Sequence, residues 1–234
     1  MLARLLAPAR CAGCDAGRWP LCASCRVSLA VVFPPLCGRC GRPTEEQLTS
    51  CADCPPPGID TVRAPFLYEG AIARAIKGVK FSGWRALAPH LAGAMDEVRD
   101  SPSALVTWVP LAPGRRARRG FDQAESLARA LAARAGLRAR RLLVRTEETP
   151  AQSRLSGRSR RHLEAGAFVS IGAVPRDVLL VDDVLTTGAT AAACAAALRR
   201  AGAERVDVLV AARALRAPDR PVPARCRAAP AGAV

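Results

Sequence analysis

The stretch Val178-Leu-Leu-Val-Asp-Asp-Val-Leu-Thr-Thr-Gly-Ala-Thr190 decides the fold of this 234-residue chain. It opens with four apolar residues, a pattern typical of a strand buried in a parallel sheet. Two carboxylates follow, Asp182 and Asp183, and small hydroxyl residues then lead into an alanine-rich helix. This succession places the stretch at the carboxyl edge of a sheet, where open α/β proteins bind their ligands.

The loop after this strand combines two kinds of binding group. Thr186, Thr187 and Thr190 offer hydroxyls at a helix start, where free N–H groups and the helix dipole favour a phosphate. Gly188 permits close approach of the backbone, and Ala189 begins the helix. The two carboxylates would repel that phosphate, so they suit adjacent hydroxyls or a divalent cation. A ribose 5-phosphate carries both a diol and a phosphate on one small molecule, so it is the ligand that these groups indicate. The alternative is a solvated strand end followed by an ordinary helix cap.

Strand and helix patterns alternate after Pro55-Pro56-Pro57-Gly58, which marks a linker. The sequence predicts strands at 62–68, 105–109, 141–144, 178–181 and 206–211, and helices at 72–79, 87–98, 122–135 and 189–201. Asp122 is the expected N-cap of the third helix, with Glu125 completing a capping box. This alternation predicts a parallel sheet with helices on both faces, and a ligand site after Val109 and Val181.

Eight of the ten cysteines form four C-x-x-C pairs near the start of the chain. The pairs are Cys11/Cys14, Cys22/Cys25, Cys37/Cys40 and Cys51/Cys54. Four thiolates complete a tetrahedral zinc site, so the spacing predicts two structural Zn²⁺ ions that supply much of the folding free energy of this segment. We expect the first four cysteines to share one ion and the last four the other. Interleaved sharing, a disulfide framework and an iron–sulfur site remain alternatives.

Basic residues are unevenly distributed. Lys and Arg total 35 against 20 Asp and Glu, and 33 of the 35 are arginines. Residues 115–161 carry a net charge of +10, which indicates an anionic ligand nearby. The alternative is a solvated arginine face inflated by biased composition.

Other function classes find no support in the sequence. No apolar run reaches the ~18 residues of a membrane-spanning helix, and no clear export signal is present, so we expect a cytoplasmic protein. The Walker, dinucleotide-binding, HExxH and GxSxG patterns are absent from the sequence. His90 and His162 have no sequence-adjacent partner. We predict three segments: a double zinc-ribbon module at 1–58, an α/β domain at 59–215 and a disordered Pro/Ala-rich tail at 216–234.

Several further motifs occur in a fixed order along the chain. They are Tyr68-Glu-Gly-Ala-Ile, Ile76-Lys-Gly-Val-Lys-Phe81, Val109-Pro-Leu111, Arg119-Gly-Phe-Asp-Gln-Ala124, and Gln152 ahead of Ala167-Phe168. With the cysteine pairs and the Asp-Asp loop, they resemble the ComF family, which joins a zinc ribbon to a type I phosphoribosyltransferase domain. Two positions depart from the family pattern, Asp122 and Leu163, where typical members have Asn.

The resemblance implies a site for 5-phosphoribosyl 1-pyrophosphate (PRPP). Asp182 and Asp183 would hold the ribose hydroxyls, and residues 186–190 the 5′-phosphate. A pyrophosphate loop would be formed by Val109, Pro110 and Leu111, aided by Arg115, Arg116 or Arg119. Mg²⁺ would bridge the pyrophosphate and the ribose hydroxyls. Residues 145–161 would be a flap that closes over the site.

Three functions are consistent with the resemblance. The first is a phosphoribosyltransferase that joins PRPP to an unidentified acceptor and releases pyrophosphate. The second is an accessory of DNA uptake in competence, with single-stranded DNA or a DNA-uptake helicase as partner. Only nine aromatic residues are available for stacking on bases, which weighs against this function. The third is a PRPP sensor without transfer activity.

Overall fold

The computed structural model describes residues 10–78, 81–111, 114, 120–146 and 166–215. Among these residues, no helix is both long and apolar enough to cross a membrane. The expected tail at 216–234 and most of the expected flap lie outside the described residues, as do His162 and Leu163.

A parallel sheet forms the centre of the molecule. Its strands are β1 (Val62–Arg63), β2 (Phe66–Leu67), β3 (Leu105–Trp108), β4 (Arg138–Ala139), β7 (Asp177–Leu185) and β8 (Arg205–Arg213). The strand order is β1-β8-β7-β3-β4, with β2 also paired to β8, and every pairing in this sheet is parallel. A separate antiparallel ribbon consists of β5 (Leu143–Arg145) and β6 (Phe168–Ser170). The parallel α/β class predicted from the sequence is confirmed.

Helices cover both faces of the sheet. One face packs against α2 (Gly70–Gly78), α3 (Phe81–Glu97) and α4 (Gln123–Ala135), and the other against α5 (Ala189–Arg200) together with the β5–β6 ribbon. A short helix, α1 (Ala23–Val27), belongs to the cysteine-rich segment. Asp122 caps α4 as predicted, and Gly136 ends that helix in the left-handed conformation, at φ +68°. Each face of the sheet therefore has its own apolar core.

Four predicted elements differ most from those observed. The strand expected at 62–68 is divided into β1 and β2, because Pro65 between them has no N–H to donate to β8. The helix expected at 87–98 is α3, which begins six residues earlier and contains Pro89. The strand expected at 141–144 is replaced by β4 and β5, and β6 was not predicted. Strand β7 extends to Leu185, four residues beyond its predicted end.

Leu131 of α4 is fully buried in the core between this helix and the sheet. We expect Leu131→Ala to lower the free energy of unfolding by about 2–5 kcal/mol, because it removes buried apolar surface and leaves a cavity. Urea unfolding measures this change. Val27→Ala, at a side chain that is 64% exposed, is the control and should change stability by less than about 0.5 kcal/mol. Equal effects of the two substitutions would contradict this placement of α4.

Candidate functional site

The acidic pair lies inside strand β7, whereas the sequence analysis placed it after the strand. Strand β8 pairs with β7 as far as Leu185, and Asp182 pairs with Val210, so both carboxylates lie within the paired length of β7. Strand β3, on the other side of β7, ends at Trp108, which pairs with Val181. Asp182 and Asp183 therefore lie at the carboxyl edge of the sheet, immediately past the end of β3, as the parallel topology predicts.

The backbone at the acidic pair departs from a regular strand. Val181 faces the core under α2–α4, and strict alternation would turn Val184 to the opposite face. Instead, Val184 packs against the same core as Val181, and Leu185 joins the core under α5. The reversal occurs at Asp182 and Asp183. This local irregularity presents two consecutive carboxylates at the open edge of the sheet.

The two carboxylates interact with each other. Both side chains are partly buried, and the backbone N–H of Asp183 donates to Oδ1 of Asp182 at 2.8 Å. Burial raises the pKa of Asp182 well above its usual value, and the negative charges of Asp183 and Asp122 raise it further. A cation or a hydroxyl donor at this position would favour the ionised form of Asp182. The acidic pair is therefore suited to binding a cation or a hydroxyl group.

The loop after β7 is compact and begins a helix as predicted. Thr186 and Thr187 are exposed, and Thr190 is partly buried. Gly188 is the N-cap of α5 and has a φ of +77°, a left-handed conformation that favours glycine. Oγ1 of Thr187 accepts from the N–H of Ala189 at 3.3 Å. The loop thus presents two exposed hydroxyls at the start of a 12-residue helix.

The segment 109–111 lies directly beside the acidic pair. The N–H of Val109 donates to the carbonyl oxygen of Val181 at 3.0 Å. Pro110 is buried, and the N–H of Leu111 donates to Oδ2 of Asp122 at 3.0 Å. The structure therefore brings together the two loops that the sequence predicted to form one site. The three arginines expected to assist lie outside the described residues: Arg115, Arg116 and Arg119.

Asp122 occupies a position where typical family members have Asn, and its contacts show what the carboxylate does. Its Oδ1 accepts from the N–H of Glu125 at 3.2 Å, which caps α4, while Oδ2 accepts from Leu111. An Asn amide has a single oxygen and could accept only one of these bonds without rearrangement. The carboxylate therefore joins the 109–111 loop to the start of α4.

Sequence analysis gave Tyr68 no role, although it lies next to the acidic pair. It follows β2, and its N–H donates to the carbonyl oxygen of Arg213 at 2.7 Å. Burial raises the pKa of Tyr68, and the charge of Asp183 adds to this increase. Lys77 Nζ lies 5.4 Å from the centre of the tyrosine ring. The carboxyl end of β2 could have been included by the same edge rule that was applied to β3 and β7.

The eight paired cysteines form two separate clusters, divided sequentially as expected. The clusters are Cys11, Cys14, Cys22 and Cys25, and Cys37, Cys40, Cys51 and Cys54. Within each cluster the Sγ atoms all lie within 4.8 Å of one another, and the closest pairs are 3.5–4.0 Å apart. Zn–S bonds of about 2.3 Å in a tetrahedron separate the sulfurs by about 3.8 Å. The sulfur positions fit Zn²⁺.

The thiol environments support a metal over a disulfide framework. No disulfide joins any of the eight cysteines within the part of the chain that the structure describes. Burial raises the pKa of Cys11, but backbone N–H groups of Cys22, Gly13 and Cys14 outweigh it and lower the pKa to about 6. Burial and neighbouring sulfurs raise the pKa of Cys25. Four adjacent thiols of this kind ionise together only around a cation.

Comparisons with known proteins identify the family. The double zinc ribbon domain matches residues 2–55. Competence protein ComFC of Streptococcus pneumoniae is 32% identical over 193 residues, which cover 80% of this chain and 84% of that protein. The chain belongs to the ComF family. Competence protein F of Haemophilus influenzae is 31% identical to this ComF-family chain over 210 residues, covering 83% of it and 90% of that relative. DNA utilization protein YhgH of Escherichia coli K12 is 31% identical over 206 residues, covering 82% and 89%.

Solved structures resemble a smaller part of the ComF-family chain. The glutamine PRPP amidotransferase from B. subtilis, complexed with ADP and GMP, aligns with 54% of the chain at 20% identity and a TM-score of 0.39. An allosteric regulatory enzyme of purine biosynthesis aligns over 54% of the chain at 21% identity and the same TM-score. The chain covers 27% and 25% of these two proteins.

Metal analysis of the purified protein should find about two zinc ions per chain, because each cluster supplies four sulfur ligands. We expect Cys37→Ser to reduce this number to about one. The control is Cys194→Ala, which changes a buried cysteine of α5 outside both clusters and should leave two. A folded, metal-free native protein would refute this assignment.

Proposed function

We propose that this ComF-family chain binds PRPP at the carboxyl edge of the sheet and transfers its phosphoribosyl group to an acceptor. The observation that carries the proposal is the sequence of groups along one backbone segment. Two carboxylates at the open edge are followed, within seven residues, by exposed threonine hydroxyls, a left-handed glycine and the start of α5. The carboxylates can accept hydrogen bonds from a sugar diol, and the hydroxyls and N–H groups at the helix start can bind the phosphate of the same sugar.

In this proposal each end of PRPP meets a different loop. The ribose 2′ and 3′ hydroxyls donate to Asp182 and Asp183, and the 5′-phosphate accepts from residues 186–190. The pyrophosphate lies toward Val109, Pro110 and Leu111, which adjoin Asp182 through the bond from Val109 to Val181. Mg²⁺ takes carboxylate and phosphate oxygens as ligands, so the acidic pair suits such an ion, which neutralises pyrophosphate charge when bound.

The proposed reaction is a substitution at the anomeric carbon of the ribose. A bond forms between that carbon and a nucleophilic atom of the acceptor, and the bond to the pyrophosphate oxygen breaks. Pyrophosphate leaves with the electron pair, and the acceptor loses a proton to solvent. Positive charge develops on the ribose, so nearby carboxylates stabilise the transition state. Tyr68 lies near Asp183, Lys77 lies against the ring of Tyr68, and both are positioned to contact the acceptor.

The double variant Asp182→Asn/Asp183→Asn should weaken PRPP binding at least 100-fold. Two charge-assisted hydrogen bonds contribute about 3 kcal/mol or more together, which corresponds to this factor. Isothermal titration calorimetry measures the affinity. Asp177→Asn, at the exposed opposite end of the same strand, is the matched control and should bind PRPP as the wild type does.

The fold of the double variant is tested separately. Because burial and Asp183 raise the pKa of Asp182, its ionised form disfavours folding at neutral pH, and stability falls as pH rises from the ordinary carboxyl range toward that raised pKa. The ligand-free variant should therefore be at least as stable as the wild type at pH 7 in thermal unfolding. Unchanged PRPP affinity in this folded variant would overturn the proposal. A pyrophosphate-release assay across nucleobases, nucleotides and single-stranded DNA separates a transferase from a PRPP sensor.

A second candidate function is contact with single-stranded DNA during DNA uptake. The names of the relatives refer to competence and to DNA utilization. Arg138, Arg140 and Arg141 are exposed beside edge strand β4 and pair with no carboxylate within the described ranges. Trp84 and Trp108 are buried, and Trp19 packs, partly buried, against the core under α2–α4, so the tryptophans offer little stacking surface. Contact with DNA would therefore depend on phosphates and fall steeply with salt.

Replacing these three arginines by alanine tests this second function. If each contacts one phosphate, the slope of log affinity against log salt for a single-stranded oligonucleotide should decrease in magnitude by about 2. Fluorescence anisotropy at several salt concentrations gives the slope. The control variant Arg85→Ala/Arg176→Ala/Arg200→Ala removes the same charge from other exposed positions and should keep the wild-type slope. Equal slopes in both variants would exclude β4 as the contact surface.

A further inference from the structure

The two cysteine clusters contact different parts of the α/β domain. The first lies against α2: Nε of Arg74 donates to the carbonyl oxygen of Gly13, and Cys11 and Cys25 belong to the core under α2–α4. The second cluster lies at the carboxyl edge of the sheet, next to the ends of β7 and β8. This difference allows the clusters to be tested against each other.

The first contact of the second cluster with the sheet is made by Arg213, the last residue of β8. Its side chain is only 4% exposed, and its NH1 donates to the carbonyl oxygen of Cys40. Among the described residues no carboxylate forms an ion pair with it, and its attractive charge partners are the sulfurs of Cys40 and Cys51. Four thiolates outweigh one Zn²⁺, so the metal-bound cluster carries negative charge. That charge compensates the buried guanidinium.

Arg213 also connects to the candidate ligand loop through the backbone. It pairs with Leu185, the residue before Thr186, and the N–H of Ala214 donates to the carbonyl oxygen of Leu185 at 2.8 Å. Its own carbonyl oxygen accepts from Tyr68. A shift of Arg213 would therefore move both the start of the loop and the tyrosine beside the acidic pair.

The second contact is made by Pro55, which follows the zinc ligand Cys54. Pro55 is buried, and its Cβ lies 2.8 Å from the position that a Cβ on Gly188 would occupy. A side chain at residue 188 would thus collide with the linker as well as strain the backbone. The ligand loop is held at Leu185 through Arg213 and at Gly188 through Pro55, and both contacts lead to the same metal cluster.

We propose that the second cysteine cluster positions the ligand loop, so that zinc at Cys37, Cys40, Cys51 and Cys54 is required for the loop geometry that PRPP needs. Arg213 and Pro55 are positioning residues in this inference, since neither touches the ligand. The first cluster has no such role and serves the packing of α2. The inference rests on the proposed PRPP site for its affinity measurement, but not for its measurement of loop order.

The main experiment compares Cys51→Ser/Cys54→Ser with the matched variant Cys14→Ser/Cys22→Ser. Each should retain about one zinc per chain. Hydrogen–deuterium exchange of the peptide covering residues 185–190 should increase only in the second-cluster variant, with 178–181 protected in both as evidence of an intact sheet. PRPP affinity should fall at least tenfold in that variant and stay within twofold in the other. Equal exchange of 185–190 in the two variants would overturn the inference.

A milder pair of substitutions covers the case in which the cysteine variants fail to fold. Pro55→Gly removes the contact with Gly188, and Pro57→Gly makes the same backbone change at an exposed position of the same linker. Only Pro55→Gly should increase exchange at 185–190 and weaken PRPP binding, with two zinc ions kept in both. Arg213→Met should likewise increase exchange at 185–190 and weaken PRPP binding. Arg213→Lys should cause smaller changes, because it retains the positive charge. If the wild type does not bind PRPP, the proposed function fails, while exchange at 185–190 still decides the positioning role.

Discussion

The pairing of β7 with β8 over their whole length is the constraint on which the rest of the structure depends. Eight residue pairs join the two strands, from Asp177 opposite Arg205 to Leu185 opposite Arg213, and the register skips only Asp183. On the other flank β3 stops early, at Trp108. One strand thus carries a pair of carboxylates past its neighbour while remaining anchored on the other side. An open edge that is nevertheless rigid is what a ligand site at the end of a sheet requires.

The sequence was sufficient for the parts of the fold in which local pattern and tertiary packing agree. The apolar run of β7, the cap of α4 at Asp122 and the helix after Gly188 were all predicted, because each depends on a few consecutive residues. The four C-x-x-C pairs were likewise enough to predict two metal clusters. The positions of the two loops beside one another followed from a general property of parallel sheets.

Other features depended on contacts between distant residues and were not predicted. The end of β7 was placed four residues early, because polar residues interrupt its apolar pattern while β8 continues to pair with it. The role of Asp122 in binding Leu111 depends on a loop that comes before the helix it caps. Tyr68 follows β2 and lies beside Asp183. The predicted strand at 62–68 included this position, but the sequence did not show that β2 pairs with β8 and so brings Tyr68 to the acidic pair. For the Arg-rich segment at 115–161, the sequence predicted a positive net charge but not where its arginines lie relative to the site.

The contact between Arg213 and Cys40 joins residues 173 positions apart in the chain. During synthesis the cysteine segment emerges before the α/β domain and can take up zinc, but β8, on which its second half packs, is the last of the described strands of the sheet. Domains generally fold as units from the N-terminus, and contacts of high sequence separation form late. The metal-bearing segment must therefore persist without its final packing surface until β8 has been made. Docking of this segment onto β8 is then a late step of folding, completed only after the other described strands of the sheet have been made.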